Sequence, residues 1–264
     1  MQIKANGITF NYQVEGPEGA PWVVFSNSLA TDLSMWDEQA AALKQSFRVL
    51  RYDHRGHGGT EATGGRYNFD LLVADVVGLF DALSIKRAHF VGVSMGGLIG
   101  MTAALSHPRL IRSLVLCDTT ACYGPGLRPM WEDRIRVAET EGMTAALVDR
   151  TMDIWFTAPF HAREKDTVKR VAAMLERSDP RGYVAAIRAI GFVDLTERIA
   201  AIRCPTLVVV GEQDPGTPPA MARVIHKRIP DAQLLVLSGA AHCAVVEASD
   251  RFLPALMSFL GPQS

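Results

Sequence analysis

Short apolar runs alternate with longer stretches of helical periodicity along this chain. Residues 8–14 (ITFNYQV) alternate apolar and polar side chains, as a strand with one wet face does, and a Gly-Pro-Glu-Gly cluster at 16–19 then turns the chain. We interpret this first strand as an edge hairpin strand. Six later runs are continuously apolar or nearly so, which predicts parallel strands buried on both faces: 22–25, 47–52, 88–91, 111–116, 206–210 and 233–237.

Helical patterns lie between these runs. From 70 to 83 the apolar side chains form one helical stripe, and Asn68 stands where an N-cap is expected; the stripe consists of Leu71, Leu72, Val76, Leu79, Phe80 and Leu83. Strands that alternate with helices predict an α/β fold with right-handed crossovers.

Residues 122–194 interrupt the alternation. They contain no convincing strand, several amphipathic stretches, and Met and Trp side chains scattered among charged ones. We predict that this segment, called the cap below, is a helical insertion over the carboxyl ends of the strands. The core then consists of residues 1–121 and 195–264. Because the cap holds 11 Lys+Arg and 11 Asp+Glu, anion selectivity there requires individually placed side chains.

Composition narrows the class of partner. The chain has 264 residues, 48% hydrophobic and 21% charged, which suits one large domain or a core with an insertion. The formal net charge of −1 provides no field for holding a nucleic acid or an anionic membrane, so a small-molecule partner is expected.

Targeting signals and metal-binding spacings are not apparent. The first residues lack the apolar region of a secretory signal, and the uncharged stretch between His89 and His107 is too short for a bilayer span. The four cysteines form no C-x-x-C pair and no zinc-like spacing. We therefore expect a cytoplasmic protein with reduced cysteines, no membrane association and no structural metal.

A serine lies in a pattern suited to nucleophilic catalysis. Residues 92–96 (GVSMG) match G-x-S-x-G, with a buried strand before them and an apolar helix after them, as in a nucleophile elbow. The flanking glycines are needed because the tight turn brings strand and helix backbones together. We predict that Ser94 is the nucleophile and that it projects from the carboxyl edge of the sheet.

A serine at its ordinary pKa needs a base, and the base needs an acid that holds its tautomer. Among the seven histidines, His242 alone follows the last predicted strand, within small residues that leave room for the imidazole. Asp214 directly follows the buried run 206–210 and completes the chain order Ser, Asp, His. Asp118 is a possible substitute for Asp214, and Glu212 is a poorer one. His161 is the one remaining histidine that we consider as a ligand contact.

Two backbone N–H groups are expected to stabilise the oxyanion. Met95, after the nucleophile, supplies one, and Leu29, in the loop after run 22–25, supplies the other. Asn27-Ser28 replaces the more usual His-Gly pair of that loop.

Another Gly-rich turn, with Asp53 and Arg55, lacks every phosphate-binding pattern, so we assign it a structural role in fixing loops around the elbow.

Together these features resemble the α/β-hydrolase superfamily over essentially the whole chain. Residues 26–37 (SNSLATDLSMWD) and 151–157 (TMDIWFT) are similar to the oxyanion loop and a cap stretch of 3-oxoadipate enol-lactonases, although Ala30 stands where that loop often has Gly. The resemblance implies a mostly parallel eight-stranded sheet flanked by helices, with a helical cap. It also implies a cytosolic carboxylic ester hydrolase of the β-ketoadipate pathway of aromatic catabolism, which needs no cofactor.

The substrate that this resemblance implies, a small lactone, carries a carboxylate, and burying a carboxylate is costly unless a cation pairs with it. Arg134, beside Trp131, is our first candidate because its planar fork can bind a carboxylate at two points. Arg128 and Arg188 remain open as alternatives, whereas Arg136 points to a different helix face. Trp131 and Trp155 are candidates for apolar walls of the site.

The same residues are compatible with other functions. A carboxylesterase, a perhydrolase, a C–C bond hydrolase or an acyltransferase uses the same elbow, and a weakly catalytic ligand receptor can retain all three residues. A monomer and a small homo-oligomer are equally consistent with the sequence.

Overall fold

One eight-stranded sheet runs through the computed structural model, which describes residues 1–261. The strands are β1 (Gln2–Ala5), β2 (Ile8–Glu15), β3 (Trp22–Ser26), β4 (Arg48–Tyr52), β5 (Ala88–Val93), β6 (Ile111–Cys117), β7 (Thr206–Gly211) and β8 (Gln233–Leu237). Their spatial order is β1-β2-β4-β3-β5-β6-β7-β8. β1 and β2 are antiparallel, as are β2 and β4, and every other neighbouring pair is parallel. The predicted α/β fold is confirmed.

Both edges of the sheet differ from the sequence-based expectation. β2 is not an edge strand, because β1 pairs with its outer side through the register Gln2 to Asn11. The run 233–237 is not buried on both faces: β8 lies at the end of the strand order, and Val236 is 37% exposed. Apolar composition therefore did not distinguish this edge strand from the central strands.

Eleven α-helices accompany the strands within the described residues 1–261. They are α1 (Asp37–Leu43), α2 (Phe69–Ala82), α3 (Met95–Ser106), α4 (Arg128–Thr140), α5 (Ala145–Trp155), α6 (Ala158–Arg163), α7 (Lys165–Glu176), α8 (Pro180–Phe192), α9 (Pro219–Arg228), α10 (Ala244–Glu247) and α11 (Ser249–Leu260). Helix α2 begins as predicted, since the Asn68 side chain accepts a hydrogen bond from the Leu71 N–H at 2.7 Å. No helix within residues 1–261 is long and apolar enough to cross a membrane.

Helices α4 to α8 fill the segment between β6 and β7. An isolated antiparallel bridge joins Cys122 to Asp194, and next to it the Leu195 N–H donates to the Ala121 carbonyl at 2.9 Å. The chain therefore leaves the sheet and returns to it at one place, which supports our proposal that 122–194 is a separate cap. One contact between the cap and the core is made by Ser178, whose hydroxyl donates to the Ala30 carbonyl at 3.0 Å.

Candidate active site

Ser94 occupies a strained turn between β5 and α3. Its backbone φ is 52° and its ψ is −112°, a region that non-glycine residues rarely adopt. A Cβ on Gly92 would lie 2.3 Å from the Gly96 carbonyl oxygen, and a Cβ on Gly96 would lie 2.1 Å from the Ser26 carbonyl oxygen. The two glycines thus permit the close contacts that let the turn present the Ser94 hydroxyl at the carboxyl edge of the sheet.

The structure brings Ser94, His242 and Asp214 together. The Ser94 Oγ lies 3.1 Å from Nε2 of His242, and Nδ1 of His242 lies 2.9 Å from Oδ2 of Asp214. All three residues are buried. The Asp214 carboxylate is held in turn by the N–H groups of Gly216 and Thr217, at 2.7 and 2.9 Å, and by the Thr217 hydroxyl at 2.6 Å.

These contacts determine the charge of Asp214. Burial opposes ionisation, but the adjacent His242 imidazole, which hydrogen-bonds the carboxylate and attracts it when protonated, and the hydrogen bonds of Thr217 outweigh it, so the pKa of the Asp214 carboxyl lies below its usual value. An ionised Asp214 requires a proton on Nδ1 of His242. Nε2 is then free to accept the proton of the Ser94 hydroxyl.

The two other carboxylates considered from the sequence have different partners. Asp118 is fully buried and accepts hydrogen bonds from the Gly211 N–H at 2.8 Å and the Ala244 N–H at 3.1 Å. Burial and the neighbouring Asp214 raise the pKa of Asp118 well above its usual value. Glu212 accepts from the Ser238 hydroxyl at 2.6 Å. Asp118 thus connects the segment just before Asp214 with the segment just after His242. The Glu212 side chain, in contrast, is exposed.

The loop that contains Leu29 is fixed against the elbow. The Asn27 carbonyl accepts from the Gly96 N–H at 3.0 Å, and the Asn27 side-chain amide donates to the Tyr52 carbonyl at 3.1 Å. Asp53, in the turn assigned a structural role, accepts from the Leu33 N–H at 2.6 Å and so holds the far end of the loop. Ala30 has a φ of 60°, which gives a physical reason why glycine is favoured at this position.

A small cavity of about 50 Å³ lies above Ser94. Leu29, Trp131, Arg134 and Trp155 line it, together with Ser94 and His242. Six other residues, which were not predicted as site residues from the sequence, also line the cavity: Ser28, Tyr123, Met130, Ile154, Ile190 and Gly216. Ser28 and Ile154 lie within the stretches 26–37 and 151–157 but carry no pattern of their own, and the other four residues belong to no motif. His161 is not among the lining residues, and its Nε2 lies 3.0 Å from the Met152 carbonyl oxygen instead.

Arg134 is a buried cation at this cavity, with 5% of its surface exposed. It donates from Nη2 to the Thr151 hydroxyl at 3.1 Å, and its guanidinium lies 5.7 Å from the centre of the Trp131 ring. Within residues 1–261 no carboxylate forms an ion pair with it. Among the residues that line the cavity, three buried donors have no hydrogen-bond partner: Ser28 Oγ, Trp131 Nε1 and Arg134 Nε.

The other arginines considered for the substrate have partners elsewhere. Arg136 pairs with Asp133 at 2.8 Å and Arg188 pairs with Glu139 at 2.6 Å, all four side chains being well exposed. The Arg128 guanidinium lies 5.9 Å from the centre of the exposed Phe192 ring. Arg134 alone among the four candidates lines the cavity above Ser94.

Comparison with known proteins agrees with this geometry. The family described as alpha/beta hydrolase fold matches residues 21–249. The chain therefore belongs to the α/β-hydrolase family.

Within that family, named relatives share most of their length with this chain. It is 34% identical to 3-oxoadipate enol-lactonase 1 of Acinetobacter baylyi over 260 residues, which is 98% of this chain and 96% of that protein. The crystal structure of the enol-lactonase from Burkholderia xenovorans LB400 is 40% identical, with a TM-score of 0.94 over 98% of this chain and 99% of that one. RutD of Agrobacterium fabrum, which its name proposes to be a carbamate hydrolase, is 30% identical over 92% of this chain and 94% of that protein.

Proposed function

We propose that this protein hydrolyses 3-oxoadipate enol-lactone to 3-oxoadipate, as part of aromatic-acid catabolism by the β-ketoadipate pathway. The main observation is the buried Arg134, which has no carboxylate partner within residues 1–261 and lines the same small cavity as the Ser94 hydroxyl. A site with a nucleophile and an uncompensated cation suits a small ester that carries an anion. The similarity to two proteins named as enol-lactonases favours that ester over others.

The proposed reaction begins when Ser94 attacks the lactone carbonyl and His242 takes the hydroxyl proton. Backbone N–H groups of Met95 and Leu29 stabilise the oxyanion of the tetrahedral intermediate. Collapse of this intermediate breaks the ring C–O bond, and the departing enolate oxygen takes up the proton held by His242, which leaves an enol on the acyl-Ser94 group and a neutral imidazole. An enolate is a better leaving group than an alkoxide, so protonation by His242 contributes less here than in ordinary ester hydrolysis.

A water molecule completes the cycle. His242 takes one proton from this water, whose oxygen attacks the acyl-Ser94 carbonyl, and then returns the proton to the Ser94 oxygen. The free carboxylic acid leaves, and the enol formed on ring opening tautomerises to the ketone of 3-oxoadipate. Asp214 keeps His242 in the required tautomer throughout.

Substrate binding in this proposal depends on donors that the folded chain leaves without partners. Arg134 Nε and Trp131 Nε1 lack acceptors within the described residues, and the carboxylate oxygens of a bound lactone can supply them. Pairing also offsets the free-energy cost of keeping a guanidinium buried. Trp155 provides an apolar wall on the side of His242, its ring centre 6.2 Å from the imidazole centre.

The proposal is tested by measuring ring opening of the enol-lactone by the purified protein. We expect saturable turnover that Ser94→Ala lowers by about 10⁴-fold or more, because the nucleophile is lost while the fold is kept. A neutral phenyl ester and a carbamate serve as comparison substrates. Preferential turnover of either one over the lactone would contradict the proposed substrate.

Arg134 is tested separately. Arg134→Ala should lower kcat/KM for the anionic lactone by about 30- to 1,000-fold, since the substrate carboxylate is then buried without a cation, and should change that for the neutral ester much less. Arg136→Ala removes an exposed arginine two residues away and is expected to leave both values within about twofold. Equal losses on lactone and neutral ester in the Arg134 variant would remove this residue from substrate binding.

A further inference from the structure

The loop that carries His242 is held through its own backbone. The Ala241 N–H donates to Oε2 of Glu247 at 2.8 Å, and the Cys243 N–H donates to the Trp155 carbonyl at 2.9 Å. Peptide groups on both sides of His242 are therefore fixed by partners outside the triad. A carboxylate acceptor makes the first of these hydrogen bonds a charge-assisted one, which is the stronger kind.

Glu247 has a second set of partners in the cap. Its Oε1 accepts hydrogen bonds from the Thr157 N–H at 3.1 Å and from the Thr157 hydroxyl. Thr157 lies at the start of α6, two residues after Trp155 at the end of α5. One side chain thus joins the residue before His242 to the segment of the cap that also contacts His242.

The triad geometry is sensitive to this connection. The Ser94 to His242 distance of 3.1 Å depends on where the loop places the imidazole, and the loop shares its contacts with a cap segment 90 residues away from Glu247. A displacement of the base by a fraction of an ångström weakens proton transfer without removing any reacting group. Glu247 is only partly buried, so its replacement does not leave a deeply buried polar group unpaired.

We propose that Glu247 is a positioning residue that couples the cap at Thr157 to the loop carrying His242, so that the seating of the cap sets the geometry of the Ser94–His242 pair. This inference rests on the serine chemistry of the proposed function but not on the identity of the substrate. Its test therefore uses a probe that reacts with an activated serine whatever the natural substrate is.

The test measures labelling of Ser94 by diisopropyl fluorophosphate over a range of probe concentrations. Glu247→Gln keeps the size of the side chain but places an amide NH₂ against N–H donors, and it should lower the maximal labelling rate by about tenfold while the half-saturating concentration stays within about twofold. If the contact of Glu247 were purely structural, the substitution would lower the melting temperature without lowering the maximal labelling rate selectively. Glu212→Gln is the matched control, because Glu212 also accepts from a hydroxyl and a backbone N–H but does not touch the cap.

Thr157→Val adds a double-mutant cycle. Alone it should slow labelling by about threefold, and in the Glu247→Gln background it should add little, since both changes break one connection. Additive losses, or a wild-type labelling rate in Glu247→Gln, would overturn the coupling. If Glu247→Gln does not fold, Thr157→Val decides, and an unchanged rate overturns the proposal. Failure of the unmodified protein to react at all would contradict the proposed serine chemistry itself, and the coupling with it.

Discussion

At the scale of single residues, two buried carboxylates that lie close in space, Asp214 and Asp118, have different hydrogen-bond partners. Asp214 contacts the imidazole directly, whereas Asp118 contacts the backbone N–H groups of Gly211 and Ala244. The sequence left both possible, because each follows the end of a parallel strand. The choice depends on which carboxylate reaches Nδ1 of His242, and chain order alone does not specify that distance.

This difference predicts unequal effects of the same substitution. Asp214→Asn should lower kcat by about 10⁴-fold, because an amide favours the wrong imidazole tautomer. Asp118→Asn should lower kcat by about 10- to 100-fold, because the segments at Gly211 and Ala244 are then held less firmly. Steady-state rates with one substrate, alongside melting temperatures, give the comparison. A larger catalytic loss for the Asp118 variant would reassign the acid.

Substrate contacts show a second limit at this scale. Arg134 could be suggested from chemistry, since a carboxylate needs a cation, and its burial beside the cavity supports that suggestion without testing its role. Tyr123 and Met130 line the same cavity but lie in no pattern that would have singled them out. Their place follows from how the cap segment folds back over the elbow.

At the scale of elements, the nucleophile elbow is the most locally determined part of the molecule. The motif predicts a strand, a tight turn and a helix, and β5, Ser94 and α3 follow in that order. The edge strands behave differently, since β1 pairs only with β2 and β8 only with β7 among the described strands, and it is the rest of the sheet that leaves their outer sides uncovered. An apolar run specifies a strand, but the number of its neighbours is a property of the assembled sheet.

The close contacts at the elbow predict a sharp contrast between two glycines. Gly92→Ala should destabilise the fold by about 3 kcal/mol or more and abolish serine labelling, because the added Cβ meets the Gly96 carbonyl carbon and oxygen at 2.4 and 2.3 Å. Gly191→Ala, near the end of α8 with open space around the new Cβ, should stabilise the protein by up to about 1 kcal/mol. Urea unfolding of both variants measures the two effects. Tolerance of alanine at position 92 would show that the turn relaxes.

At the scale of the whole molecule, buried histidines link stability to pH. Burial lowers the pKa of His57 to about 4 and that of His54 to about 3, from an ordinary value near 6.5. The folded protein keeps both neutral, whereas the unfolded chain binds protons below about pH 6.5. Their contribution to stability is therefore complete above about pH 6.5 and decreases as the pH falls toward 4.

Replacing one of them should reduce this pH dependence. Relative to the unmodified protein, His57→Gln should lower the slope of unfolding free energy against pH by up to about 1.4 kcal/mol per pH unit between pH 6 and 4.5. Taking the difference between proteins cancels the opposing contribution of Asp118, whose pKa is raised. His107→Gln, at an exposed position, is the control and should leave the slope unchanged. Equal slopes in all three proteins would mean that His57 binds protons equally well in the folded and unfolded states, which would contradict a lowered pKa.

The amino-acid sequence by itself determined the class of fold, the strand-turn-helix at Ser94 and the order in which Ser94, Asp214 and His242 occur. These features depend on short-range rules: side-chain periodicity, the steric freedom of glycine, and the direction in which parallel strands end. The cap boundaries and the site roles of individual residues derived in the same way remain proposals.

Tertiary structure alone decided which of two neighbouring carboxylates touches the imidazole, which strands lie at the edges, and which side chains from residues 122–194 line the cavity above Ser94. It also brought Thr157 and Glu247 together, 90 residues apart in the chain. The physical reason is common to all of these. Each depends on a distance between segments that are remote in sequence, and such a distance is set by the packing of the whole chain rather than by any local pattern.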